Sequence, residues 1–161
     1  MLASEATQIR TLIVKDAPAR NLPIFTDEEV EDRRHILLEG VQQYNEGYFF
    51  EAHEIWEGLW MQSPWPTRRF LQGLIQVAAA FVHFVRHEYP GTVRLLGHAH
   101  EKLADFAPRY MGVDVDRLLS DVAAAAKELH GLGPERFEEM PPERIPEIAL
   151  LENEANAARK V

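Results

Sequence analysis

The sequence predicts an all-α fold, a single compact bundle of about five helices, and three observations carry that expectation. The chain has 161 residues with 46% hydrophobic and 27% charged side chains, the proportions of one globular domain large enough to bury its own core. Apolar residues recur at spacings of three and four through the middle of the chain, the period of a helix with one buried side. The segments that carry this pattern are closed by glycine and proline at Gly47, Pro64, Pro66, Pro90, Gly91, Gly131, Gly133 and Pro134. On this reading residues 1–25 are an irregular N-terminal arm and residues 26–130 the helical domain. Residues 131–161 are a Pro/Glu-rich tail that packs on the domain or extends from it.

Taken in order, the arm holds Pro18 and Pro23 and a short apolar stretch, Leu12-Ile13-Val14, without helical period. Thr26-Asp27-Glu28-Glu29 reads as a capping box, in which the Thr26 hydroxyl and the Glu29 carboxylate satisfy backbone N–H groups that a helix start leaves free. A first helix then runs to about Glu46, and Gly47 ends it by accepting a left-handed backbone. A second, residues 48–61, places Phe49, Ala52, Trp56, Leu59 and Trp60 on one side. Ser63-Pro64-Trp65-Pro66 forbids its continuation, while Pro66 suits the first turn of a third helix reaching about Glu88. No residue between Phe70 and Val85 is charged, which marks this third helix as central, with the first four packed antiparallel. Pro90-Gly91 separates it from a fourth helix that ends near Ala107. Asp114 caps a fifth over residues 115–130, stopped by Gly131, Gly133 and Pro134, and the tail holds at most one short helix.

Composition narrows the function classes. A net charge of −9 argues against a nucleic-acid surface, because that affinity rests on Lys and Arg displacing counterions. The absence of cysteine removes disulfides, thiolate metal sites and thiol nucleophiles. No segment reaches the roughly 18 apolar residues of a membrane span, and the N-terminus lacks the apolar run of a signal peptide, so a cytoplasmic protein without a membrane partner is expected. Neither a glycine-rich phosphate loop nor a G-x-S-x-G elbow occurs.

What remains is an arrangement of polar side chains on helix faces that otherwise read as core. His53 and Glu57 stand one turn apart on the edge of the second helix's apolar face, with Glu54 nearer solvent. The pattern is similar to the zincin signature H-E-x-x-H, but Glu57 replaces its second histidine, which removes one of two nitrogen ligands. In the third helix Arg69, Gln72, Gln76, His83 and His87 fall within a sector of about 60°. A plain solvent face suits His87, whereas neutral amides at Gln72 and Gln76 suit a buried hydrogen-bond network. In the fourth helix His100 lies amid apolar residues, where a core histidine with one hydrogen bond is the ordinary case. The aromatics Phe49, Phe50, Trp56, Trp60, Trp65, Phe70, Phe81 and Phe84 are most simply core. Arg68-Arg69 at the start of the third helix could bind an acidic ligand, but arginine is unfavourable beside a helix N-terminus, and pairing with a carboxylate such as Glu57 or Glu54 is the expectation.

Two runs carry a family resemblance: Tyr44-Asn45-Glu46-Gly47-Tyr48-Phe49-Phe50-Glu51-Ala52-His53-Glu54, and Phe70-Leu71-Gln72-Gly73-Leu74-Ile75-Gln76-Val77-Ala78-Ala79-Ala80-Phe81. Through them residues 35–105 resemble the uncharacterised prokaryotic family known as domain of unknown function 309. The resemblance implies a compact multi-helical fold, with motif letters on His53, Glu54, Glu57, Trp60, Gln72, Gly73 and Gln76, and it implies no activity or cofactor. A looser likeness to the tetratricopeptide repeat places Gly40, Gly47, Phe49, Ala52, Trp56 and Pro64 at that repeat's offsets, but only once.

The leading expectation is a binding module rather than an enzyme, with a polar pocket between helices two and three. His53, Glu54, Glu57, Trp60, Arg69, Gln72, Gln76 and His83 would line it and receive a small ligand or a partner's side chain. The first alternative is a metal-dependent hydrolase with Glu54 as base, in which a divalent transition metal is held by at least three of His53, Glu57, His83 and His100. The second is a helical scaffold for protein–protein contact. Oligomeric state is left open.

Overall fold

The computed structural model describes residues 26–151, and the N-terminal arm and the last ten residues of the tail lie outside them. Five α-helices follow one another: α1 Asp27–Asn45, α2 Phe49–Met61, α3 Thr67–Val85, α4 Tyr89–Leu103 and α5 Val115–Arg136. The all-α expectation holds; the one sheet among the described residues is a two-stranded antiparallel hairpin, β1 Arg109–Tyr110 with β2 Val113–Asp114.

The capping box forms as expected. The Thr26 hydroxyl accepts from the Glu29 amide at 3.2 Å and the Glu29 carboxylate accepts from the Thr26 amide at 2.7 Å. Gly47 takes φ 92°, the left-handed value that reverses the chain into α2. Short connections, residues 46–48, 62–66 and 86–88, join helices that pack on one another, so α1 to α4 run as successive antiparallel hairpins. In the first of these the Trp56 indole is wholly buried and donates to the Leu37 carbonyl at 3.2 Å. Gly40 makes room for it, since a Cβ there would stand 2.1 Å from Nε1. The repeat-like residues therefore mark one helical hairpin.

Helix α3 is the middle of the bundle, packed between α2 and α4. Phe70, Leu71, Leu74, Val77, Ala78, Ala80 and Phe81 are all fully buried. The larger of these side chains each contribute about 1.5–3 kcal/mol by leaving water. Gly73 lets α4 approach, because a Cβ there would meet the Leu103 side chain at 2.7 Å. Helix α5 packs on α4 and completes the core with Val115, Leu118, Val122, Ala125 and Leu129.

Several boundaries differ from the sequence reading, each for a local reason. Pro66 is the N-cap of α3, where its carbonyl accepts from the Arg69 amide, and not a member of its first turn. The helix stops at Val85, because His87 adopts φ 62° and the chain turns there, before Glu88. Pro90 and Gly91 open α4 instead of separating it from α3, since a proline in the first turn forfeits no helical hydrogen bond. At its other end α4 gives way at Ala104 to a 3₁₀ turn, Ala104–Phe106. Asp114 caps α5 as expected, accepting from the Arg117 amide at 3.0 Å. Gly131 does not stop α5, and Gly133 (φ 76°) with Pro134 only kinks it.

Past that kink, residues up to 151 remain part of the packed structure. Phe137, Met140 and Ile148 are buried, the Tyr44 hydroxyl donates to the Pro146 carbonyl at 2.7 Å, and Asn45 exchanges two hydrogen bonds with the Ile148 backbone. In place of one short helix this stretch holds two 3₁₀ turns, Phe137–Glu139 and Pro142–Arg144. Among the described residues no helix is long and apolar enough to cross a membrane.

Candidate functional site

The outward face of α3 is a stripe of partly covered side chains. Arg68, Gln72, Ile75, Gln76, Ala79, Val82 and His83 share that intermediate exposure. At 100° per residue they fall within a sector of about 120°. Of these seven only Arg68 is an arginine, lysine, aspartate or glutamate. Along α2, Phe50, His53, Glu57 and Trp60 occupy a sector of about 80°. Two contacts fix how the stripes align. The Arg68 guanidinium lies 3.8 Å over the Trp60 ring, and Phe49 meets Phe81 with ring centroids 5.7 Å apart. The helices run in opposite senses, so between these contacts His53 is level with Gln76 and Glu57 with Gln72.

His53 Nε2 stands 3.5 Å from Glu57 Oε2, a long and solvent-screened pairing in which Glu57 is more than half exposed. The imidazole stacks on Phe50, whose ring is nearly half exposed and so belongs to this face and not to the core. His53 Nδ1 is buried without a hydrogen-bond partner in the protein, and so are Trp60 Nε1, Arg68 Nε, Arg69 Nη2, Gln76 Oε1 and His83 Nδ1. Such atoms cost about 1–3 kcal/mol each when left unmatched, and they are rare in native proteins. The first five belong to α2 and α3 between His53 and Gln76.

Arg69 departs from its expected pairing. It is buried and its Nε donates to Asp105 Oδ2 at 2.8 Å, tying α3 to the 3₁₀ turn after α4, whereas Glu54 and Glu57 stay exposed on α2. The link between α2 and α3 at this end is Arg68 on Trp60, a cation–π contact. A guanidinium that is planar and weakly hydrated stacks well on indole, and it is Arg68, not its neighbour Arg69, that makes this contact with α2. Asp105 lies 36 residues from Arg69, and no local pattern announces such a pairing.

His83 is not at this seam. It lies seven residues beyond Gln76, about 10 Å further along α3. There its ring packs against Gly91, where a Cβ would come within 2.7 Å of Nδ1, and Nδ1 is 3.4 Å from Glu88 Oε1. That distance is an ion-pair approach without hydrogen-bond geometry, since the same nitrogen has no hydrogen-bond partner. His87, exposed, pairs with Glu138 at 2.7 Å. His100 is partly buried on α4. Among the described residues no three His, Asp or Glu side chains stand where they could hold a metal ion. The metal set His53, Glu57, His83 and His100 is thus not brought together, and Glu54, exposed, has no ligand set beside it on which to act as base.

Residues 37–95 match the model of a family described as "Domain of unknown function (DUF309)". The match runs from the second half of α1 to the middle of α4 and ends ten residues short of the span expected from the motifs. All of α2 and α3 fall inside it, and Asp105 and His100 fall outside. No curated protein matches the chain.

Proposed function

We propose that this chain is a binding module whose α2–α3 face receives a small polar ligand or a partner's polar side chain. The observation that carries the reading is the concentration of buried, unmatched polar atoms on one seam: His53 Nδ1, Trp60 Nε1 and Gln76 Oε1, with Arg68 and Arg69 at its end. A face evolved only for packing would fill these positions with apolar side chains, because an unmatched buried donor or acceptor opposes folding. A face that binds keeps such groups and satisfies them from its ligand, which they orient. The partly covered, almost uncharged stripe of α3 supplies the apolar floor that such a site needs.

The test is a nuclear magnetic resonance titration of the full chain with neutral and zwitterionic polar metabolites. It follows the side-chain amides of Gln72 and Gln76 and the indole N–H of Trp60. A saturable shift of these resonances by at least one compound, lost in His53→Ala while the variant remains folded, is the expected result. A seam that no compound moves, or that responds equally in His53→Ala, overturns the reading.

A further inference from the structure

The first turn of α3 gathers positive charge that the protein itself leaves unbalanced. Helix α3 has 19 residues, its N-cap Pro66 offers no side-chain acceptor, and its first turn holds no acid but two arginines, Arg68 and Arg69. A helix N-terminus carries a partial positive charge, so arginines there are disfavoured unless an anion compensates them. One carboxylate does so in part: Asp105 Oδ2 takes the Nε–H of Arg69 at 2.8 Å.

The rest of the donors are unused. Arg69 is only 4% exposed, yet its Nη2 has no acceptor. Arg68 rests its guanidinium on the Trp60 ring, and both its Nε and the Trp60 Nε1 are buried without partners. Each of these three atoms is an N–H donor. Arginine's fixed fork suits the paired oxygens of a carboxylate or phosphate.

From these donors and their placement we infer that the α2–α3 face takes an anionic ligand, whose carboxylate or phosphate group is held by Arg69, Arg68 and the Trp60 indole at the N-terminus of α3. This deepens the binding-module reading, and rests on it, by naming the class of ligand. The net charge of −9 opposes large polyanions, so the group taken here is a single oxyanion on a small molecule.

The experiment follows the Trp60 indole N–H and the Arg68 and Arg69 Nε–H resonances of the full chain. Inorganic phosphate and acetate are titrated in separate arms at constant ionic strength, with chloride as control. The inference expects saturable shifts with phosphate, acetate or both, the stronger arm identifying the oxyanion, and at least about tenfold weaker binding in Arg69→Gln, the usual consequence of losing a charge-assisted hydrogen bond. Should Arg69→Gln fail to fold for want of its Asp105 link, Arg68→Gln carries the same test, since the Arg68 guanidinium rests on the Trp60 ring and does not share that link. Shifts no larger than those in chloride, or undiminished in the folded variants, overturn the inference. If neither anion acts while neutral compounds still move the Gln76 amide, the anion site falls and the seam reading survives. If the anions act and the Gln76 amide never responds to any compound, the anion site stands and the wider seam falls.

Discussion

Tyr44 shows how much one residue contributes to closing this bundle. It is buried at the end of α1, edge-on to Phe49 and beside Trp56, and its hydroxyl donates to the Pro146 carbonyl. Burial, and after it the carboxylates of Asp121 and Glu147, push its ionisation well above the ordinary 10.0. A raised folded-state value means that the folded protein keeps its proton where the unfolded chain loses it. The contribution is therefore complete below about pH 10 and lost as pH rises through the folded value. Tyr44→Phe is expected to cost about 1 kcal/mol at pH 7, the hydrogen bond to Pro146. It should also flatten the fall in urea midpoint above pH 10 relative to the parent; parallel slopes would show that Tyr44 does not govern alkaline stability. Residue-scale sequence reading identified none of this, because the partner carbonyl lies 102 positions away.

At the scale of elements, local chemistry made most of the helices legible. The Thr26 box, the Gly47 reversal and the Asp114 cap depend on neighbours within four residues, the uncharged core of α3 is one continuous run, and the sequence displays both directly. What escaped depends on conformation that several residues permit: the Met111-Gly112 turn of the small hairpin, with both residues at positive φ, and the kink at Gly133 that lets α5 continue. Two glycines of the α1–α2 hairpin separate packing from flexibility. Gly40→Ala would drive a methyl into the Trp56 indole and should destabilise by about 1–3 kcal/mol or more. Gly58, also helical, has nothing within 4 Å of its added Cβ, and Gly58→Ala should stabilise by about 0.5–1 kcal/mol. Urea denaturation of both variants checks the pair, and equal shifts would deny that Gly40 is held by Trp56.

For the whole molecule, α2 and α3 share one partly covered face, while α1 packs on α2, α4 on the other side of α3, and α5 on α4. Periodicity located His53, Trp60, Gln72 and Gln76 on this face because each lies within one helix, and the α2–α3 register is set by a short connection. It misplaced His83, level with the seam in angle but about 10 Å away along the axis. It also misassigned Arg69, whose partner comes from beyond α4. The angle of a residue around a helix is written in sequence spacing; which neighbouring helix that angle meets is decided by packing.

The central claim is that the α2–α3 face retains polar groups at a cost to stability because they serve binding. Its most direct test is the thermal denaturation of Gln76→Leu beside the parent. Removing an unmatched buried acceptor while keeping the side chain's bulk should raise stability by about 1 kcal/mol, or the melting temperature by ~2–4 °C for a chain of this size. A fall of several degrees would mean that Gln76 belongs to a satisfied structural network, and would contradict the claim.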